Sequence, residues 1–123
     1  MNMAWKGVIL EESLEDKSIL KLVKIIKTEV SKLGGEERVM TFRYFELDDK
    51  NKDRFVKKGI KVIKQAFYMH IAKEGVMYAI YKGHMFKFSK GFPELETARK
   101  YGLSIGIIKK QMPFEKLLKY PWA

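Results

Sequence analysis

The sequence predicts an α+β fold in a single domain, residues 1–123, built on a mainly antiparallel sheet. At 123 residues the chain is long enough for one hydrophobic core and too short for two ordinary domains. Hydrophobic residues make up 46% of the chain, which is more than a disordered sequence contains. Apolar alternation and Gly-containing turns occur in two blocks of short strands, and each block is followed by a helical pattern.

The first block begins with a strand at Trp5–Leu10, followed by an acidic connection at residues 11–16. Residues 19–33 have apolar side chains at helical spacing but are also rich in β-branched residues. A helix therefore remains open there, although a short helical turn passing into a strand is favoured. Residues 33–37 are typical of a hairpin connection, and the alternation over Val39–Leu47 predicts the paired strand.

A helix is predicted at residues 50–64, the clearest helical periodicity in the chain. Asp48 and Asp49 precede it and supply the side-chain oxygens and negative charge that a helix N-terminus favours. One side of this helix is apolar and faces the core. The opposite side carries Lys and Arg, so the helix has a cationic face.

The second block predicts a meander with strands at residues 67–72, 76–81 and 85–89, joined by turns at 73–75 and 82–84. Each turn contains a glycine, which adopts left-handed backbone at little cost.

Two shorter helices complete the pattern. Pro93 opens one at residues 94–101 with Gly102 as its C-cap, and Pro113 opens the last. The predicted order is β-β-β-α-β-β-β-α-α. We expect a sheet of about five or six strands with two or three helices packed on one face.

The charge is unevenly distributed along the chain. Residues 1–49 contain eight Lys and Arg against ten Asp and Glu, whereas residues 50–123 contain seventeen against five. The formal net charge is +10, and such an excess attracts anionic partners. The sequence therefore favours a nucleic acid or an acidic protein as partner, although it identifies neither.

A nucleic-acid-binding site is one hypothesis for the cationic residues. Those on the predicted helix are Arg54, Lys57, Lys58, Lys61 and Lys64. Three more alternate with aromatic residues in the second block: Lys82, Lys87 and Lys90. Lys and Arg displace counterions from a phosphate backbone without reading its sequence. The other interpretation is a solvated face, or one neutralised by the acidic residues 11–16.

Two further function classes remain open. The first is a protein–protein or homo-oligomeric assembly domain, in which the acidic region meets the basic helix or sheet edges pair between copies. The second is a small-ligand pocket that uses Tyr68, His70 and Tyr81. His70 and His84 are the two histidines, and we expect that they can face each other across neighbouring strands if the meander is paired as predicted.

The sequence contains no recognised catalytic motif, which disfavours an enzyme, and it implies no cofactor, metal or catalytic residue. Cysteine is absent and no run of about 18 apolar residues occurs. These features predict a cytoplasmic protein that does not enter a membrane. Lys and Glu are abundant while Asn and Gln occur twice each, a balance typical of thermophilic organisms.

Two segments resemble a known group of sequences. They are Trp5-Lys6-Gly7-Val8-Ile9-Leu10-Glu11-Glu12-Ser13-Leu14 near the start, and Tyr101-Gly102-Leu103-Ser104-Ile105-Gly106-Ile107 followed by Gln111-Met112-Pro113-Phe114 near the end. Together they are similar to a family of small uncharacterised prokaryotic proteins. The resemblance implies a cytoplasmic, single-domain protein and brings no functional residues with it.

Overall fold

Six strands and three α-helices are present in residues 4–32 and 38–123, the part of the chain that the computed structural model describes. In chain order they are β1 (Trp5–Leu10), β2 (Lys24–Lys32), β3 (Val39–Leu47), α1 (Lys52–Val62), β4 (Met69–Lys73), β5 (Val76–Tyr81), β6 (His84–Ser89), α2 (Pro93–Ser104) and α3 (Phe114–Lys119). The predicted order β-β-β-α-β-β-β-α-α is confirmed.

All six strands form one antiparallel sheet, in the order β2-β3-β1-β4-β5-β6. Strand β1 lies between the β2–β3 pair and the β4–β5–β6 meander, so it joins the two blocks that the sequence predicted. It pairs with β3 over six residues and with β4 over three. The α+β class and the antiparallel sheet are therefore confirmed.

Helices cover both faces of the sheet, so the expectation that they pack on one face was wrong. Helix α1 packs on a core that includes Ile9, Met69 and Ile80, whereas α2 and α3 pack on a separate core that includes Ala79 and Phe88. The reason is that successive side chains in a strand point to opposite faces. Strands β4 and β5 are buried at consecutive positions, so both of their faces are covered.

Helix α1 is shorter than predicted, and an aspartate expected at its cap has another role. The helix begins at Lys52 and ends at Val62, preceded by a 3₁₀ turn. The Asp49 carboxylate accepts a hydrogen bond of 2.7 Å from the Trp5 indole N–H and lies 3.4 Å from the Lys73 ammonium. These two contacts, with Trp5 first, hold the pKa of Asp49 below its usual value. The aspartate therefore ties α1 to the sheet instead of capping the helix.

The ambiguous segment after the acidic connection forms a 3₁₀ turn at Lys17–Leu22 and then β2. The favoured interpretation, a helical turn passing into a strand, is confirmed, and the predicted connection at 33–37 lies outside the described residues. Strand β2 is an edge strand whose nine residues are all exposed, with a bulge between Ile25 and Lys27.

The second helix runs beyond its predicted stop. Helix α2 passes through Gly102 to Ser104, and the left-handed backbone occurs later, at Gly106 with φ of 98°. Gly102 lies inside the helix, where a Cβ atom would overlap the Met112 thioether. Its role is close packing instead of helix termination.

A buried arginine fixes α2 to the segment that leads into α3. Arg99 is 6% exposed. Its guanidinium donates to Glu96 on its own helix at 2.8 Å, to the Glu115 carboxylate and to the Met112 carbonyl oxygen at 3.4 Å. A buried charge needs such partners to offset its lost hydration. Arg99 therefore positions α3 against the sheet.

A close approach between β1 and β4 requires Gly7. A Cβ atom at this position would overlap the backbone carbonyl oxygen of His70 and lie 2.7 Å from Cζ of Phe45. A backbone oxygen that is held by the pairing of β1 with β4 cannot move aside as a flexible side chain can. Only glycine fits where β1 crosses these two neighbours.

We expect Gly7→Ala to lower the free energy of unfolding by about 3 kcal/mol, the upper range for overpacking a core. Gly59→Ala is the control, because its new Cβ would contact only side-chain atoms, Ile80 Cγ2 at 3.1 Å and Met69 Sδ at 3.3 Å. Alanine also favours a helix over glycine by about 1 kcal/mol, so we expect a much smaller change there. Urea denaturation monitored by circular dichroism measures both, and equal losses would contradict the role given to Gly7.

Candidate functional site

The cationic residues of α1 lie on its solvent face. Arg54, Lys57 and Lys61 are exposed, and they recur at the three- and four-residue spacing that places side chains on one side of a helix. We call these three the cationic helix surface. Lys64 is also exposed, but it lies two residues beyond the end of α1 and is therefore adjacent to this surface instead of part of the helical stripe.

The acidic connection runs along the C-terminal end of α1. The Glu15 N–H donates to the Val62 carbonyl at 2.7 Å, and the Lys64 N–H donates to the Ser13 carbonyl at 2.8 Å. This pairing places the Asp16 carboxylate 3.8 Å from the Lys58 ammonium. The acidic segment thus neutralises two predicted site residues, Lys58 through Asp16 and Lys82 through Glu15.

The other acidic side chains point elsewhere. Glu11 accepts from the Arg43 guanidinium at 2.7 Å, and Glu12 accepts from the Thr41 hydroxyl at 2.7 Å, both on β3. Arg43, followed by Lys17, lowers the pKa of Glu11. Within residues 4–32 and 38–123, no carboxylate lies within 4.0 Å of a side-chain nitrogen of Arg54, Lys57, Lys61 or Lys64. Neutralisation by the acidic connection is therefore partial.

The three predicted cations of the second block do not form one group with α1. The Lys82 ammonium donates to Glu15 at 2.5 Å and to the Lys61 carbonyl at 2.7 Å, so it is already engaged at the end of α1. Lys87 lies over the Tyr78 ring, 5.8 Å from its centroid. Lys90 is exposed in the turn between β6 and α2.

A concave pocket of about 240 Å³ lies on the opposite face of the sheet. Its floor comes from β1, β3 and β4, and its wall comes from α3 and the connection between α2 and α3. Most lining side chains are apolar or aromatic, among them Val8, Phe42 and Tyr44. Lys110 adds one exposed cation to the lining.

Two of the three residues predicted for a pocket line this one. Tyr68 and His70 contribute to the lining, whereas Tyr81 does not. The Tyr81 ring packs beside Tyr68, 5.9 Å between centroids, and its hydroxyl donates to the Ala98 carbonyl at 2.9 Å. The Tyr68 hydroxyl donates to the Gln111 carbonyl, and burial raises the pKa values of both tyrosines. Neither hydroxyl is an acid or base near neutral pH.

The two histidines lie on strands that are not neighbours, because β5 separates β4 from β6. His70 is 4% exposed, and its Nε2 lies 2.7 Å from the Pro121 carbonyl oxygen. His84 is exposed and packs against Tyr101 with 4.7 Å between the rings. Across the described part of the chain, no three His, Cys, Asp or Glu side chains are placed to hold a metal ion.

The pocket residues that sequence reasoning missed come from segments far apart in the chain. Phe42 and Tyr44 lie on the side of β3 that faces α3, and Val8 lies beside them on β1. The apolar character of alternate positions on both sides of β3 was the available signal. Lys110 had none, because only the packing of the α2–α3 connection brings it to the pocket.

Comparisons with known proteins identify no relative. No family model matches the chain, and searches of curated proteins and of solved structures find no similar protein. Among the described helices, none combines the length and apolar character needed to cross a membrane. The candidate sites therefore depend on the geometry of this chain alone.

The buried histidine predicts a pH-dependent stability. Burial lowers the pKa of His70 to about 4 from about 6.5, partly offset by the hydrogen bond to Pro121. The unfolded chain therefore binds a proton that the folded chain does not, and the stabilising contribution is full above pH 6.5 and lost as the pH falls towards 4. From these pKa values we expect the protonation of His70 to lower the free energy of unfolding by about 2 kcal/mol between pH 7 and pH 5.

His70→Gln keeps a donor for the Pro121 carbonyl and removes the titrating ring, so its unfolding free energy should change less than that of the wild type over this range. His84→Gln is the matched control at an exposed ring and should follow the wild type. Urea denaturation at pH 7, 6 and 5 measures the difference. Parallel curves for His70→Gln and the wild type would contradict the expectation.

Proposed function

We propose that the protein binds nucleic acid non-catalytically, through phosphate contacts made by the cationic helix surface. The observation that carries the proposal is the set of exposed cations on α1, Arg54, Lys57 and Lys61, with Lys64 beside them; within the described residues no carboxylate lies within 4.0 Å of their side-chain nitrogens. Like charges at this spacing destabilise a helix by about 0.2–0.5 kcal/mol per pair. A bound polyanion relieves that repulsion.

The dimensions of the surface suit a phosphate backbone. Arg54 and Lys61 are seven residues apart on α1, which corresponds to about 10 Å along the helix axis. Duplex DNA carries one negative charge per about 1.7 Å of its axis, so several phosphates can lie opposite this surface. The surface carries only Lys and Arg, which contact phosphates of any sequence, and no Asn or Gln that could pair with adenine, so we expect little sequence preference.

The partners of the acidic residues weigh against an assembly domain in which the acidic region of one copy meets the basic helix of another. Glu11, Glu12, Glu15 and Asp16 all have partners within the chain. An intermolecular contact would have to break these pairs first. Binding of a nucleic acid leaves these pairs intact, because the phosphates supply the negative charge. Binding of this kind in the reducing cytoplasm is consistent with a chain that lacks cysteine.

Lys57→Gln/Lys61→Gln/Lys64→Gln tests the proposal. The control, Lys100→Gln/Lys116→Gln/Lys119→Gln, removes the same charge from exposed residues of α2 and α3. For duplex DNA, the slope of log affinity against log salt concentration is negative, and the loss of three phosphate contacts should reduce its magnitude by about 2.7. The control should retain a slope near that of the wild type.

Fluorescence anisotropy with labelled duplex DNA, duplex RNA and single-stranded RNA over a salt series measures these slopes. Heparin serves as a competing polyanion without bases. Equal weakening by the two triple variants would mean that only net charge matters, and it would overturn the assignment to α1. Absence of binding to all three nucleic acids near physiological salt would overturn the function itself.

A further inference from the structure

The pocket opposite α1 has a chemical character of its own. Its volume of about 240 Å³ is below the roughly 300–1,000 Å³ typical of drug-sized sites, so one small molecule would fill it. Phe42, Tyr44 and Tyr68 contribute aromatic rings to the lining. Flat rings and few polar groups favour a planar, largely apolar ligand.

The tautomer of His70 places a hydrogen-bond acceptor in this lining. The Pro121 carbonyl oxygen can only accept, so Nε2 of His70 must carry the proton of the neutral ring and donate it across 2.7 Å. Nδ1 is then an unprotonated acceptor. Within residues 4–32 and 38–123, His70 makes no hydrogen bond through Nδ1, and every fully buried side-chain nitrogen or oxygen has a partner, so Nδ1 is not fully buried although the side chain is only 4% exposed. A ligand donor that reaches Nδ1 would complete the hydrogen bonding of this ring.

The other polar side chains of the lining are Tyr44, Tyr68, Lys110 and Gln111. The Tyr44 hydroxyl donates to the Glu29 carboxylate at 3.0 Å. The Tyr68 hydroxyl already donates its hydrogen to the Gln111 carbonyl, so it is not available as a hydrogen-bond donor to a ligand. Lys110 is exposed and lines the pocket, and among the described residues no carboxylate forms an ion pair with it. An ammonium at the border of an apolar pocket favours an anionic group on the ligand.

We propose that this pocket binds a small planar ligand that donates one hydrogen bond to Nδ1 of His70 and carries an anionic group near the Lys110 ammonium. The site is independent of the nucleic-acid proposal. His70 lies between Met69 and Ile71, whose side chains pack on the α1 side, and it therefore points to the opposite face.

Three matched probes separate the features of the proposed ligand. Indole-3-acetate has a planar ring, an N–H donor and a carboxylate. 1-Naphthaleneacetate keeps the ring and carboxylate without the donor, and 3-methylindole keeps the ring and donor without the charge. We expect indole-3-acetate to bind most tightly, 1-naphthaleneacetate about tenfold more weakly, and 3-methylindole several-fold more weakly at low salt.

Titrations followed by ¹H–¹⁵N NMR spectra give the affinities and the residues affected. Lys110→Gln should remove the preference for indole-3-acetate over 3-methylindole, while Lys109→Gln, which changes an exposed neighbour outside the lining, should preserve it. Val8→Trp fills the pocket and should abolish binding of all three probes. Because both lysines are exposed, their comparison remains informative if Val8→Trp does not fold.

Equal affinities for the three probes, or shifts confined to residues outside the pocket, would overturn the proposal. The triple variant Lys57→Gln/Lys61→Gln/Lys64→Gln should bind indole-3-acetate as the wild type does. Loss of nucleic-acid binding with retained probe binding would therefore leave the pocket assignment intact, and the reverse result would leave the assignment of α1 intact.

Discussion

The fold depends on the pairing of β1 with β4, which joins the two blocks of strands over only three residue pairs. Gly7 makes this contact possible because the His70 carbonyl oxygen occupies the space that a side chain would need. The same contact fixes the backbone of His70 and so sets the position of its ring. One close backbone approach therefore determines both the continuity of the sheet and the floor of the pocket.

Because helices cover both faces of the sheet, the cationic helix surface and the aromatic pocket lie on opposite sides of the sheet. Helix α1 presents Lys and Arg to solvent from one face, whereas α3 encloses an aromatic pocket on the other. Arg99 supports the second arrangement, since its contacts with Glu115 and with the Met112 carbonyl hold α3 beside the sheet. The two surfaces share the sheet between them but no side chain.

The element order could be predicted from the sequence because alternation, β-branched residues and glycine turns are local signals. The helical face of α1 was equally visible, since its periodicity does not depend on distant residues. The second covered face was not predicted, although the consecutive apolar and aromatic residues of β5, Val76–Tyr81, contain the signal for it. Buried strands need apolar residues on both sides, and that pattern was interpreted as ordinary strand periodicity.

The sites were harder to predict for a physical reason. The pocket unites Val8, Phe42, His70 and Lys110, which lie in four segments that only the strand order and the docking of α3 bring together. Asp49 was assigned to a helix cap because that is the commonest local use of an aspartate there, and the Trp5 indole, 44 residues away, takes it instead. Long-range contacts of this kind have no signature in a single sequence.

The edge strand β2 has a consequence for the behaviour of the protein at high concentration. Among the described strands, β2 pairs with β3 alone, so its other side can accept another extended chain, and Ile25 and Ile26 are partly exposed there. The bulge between Ile25 and Lys27 interrupts the regular spacing that an incoming strand would have to match. Three lysines of β2 outnumber its one glutamate, Glu29, and the net positive charge of the strand disfavours pairing with a second copy. The irregularity of this strand is therefore a safeguard against edge-to-edge aggregation.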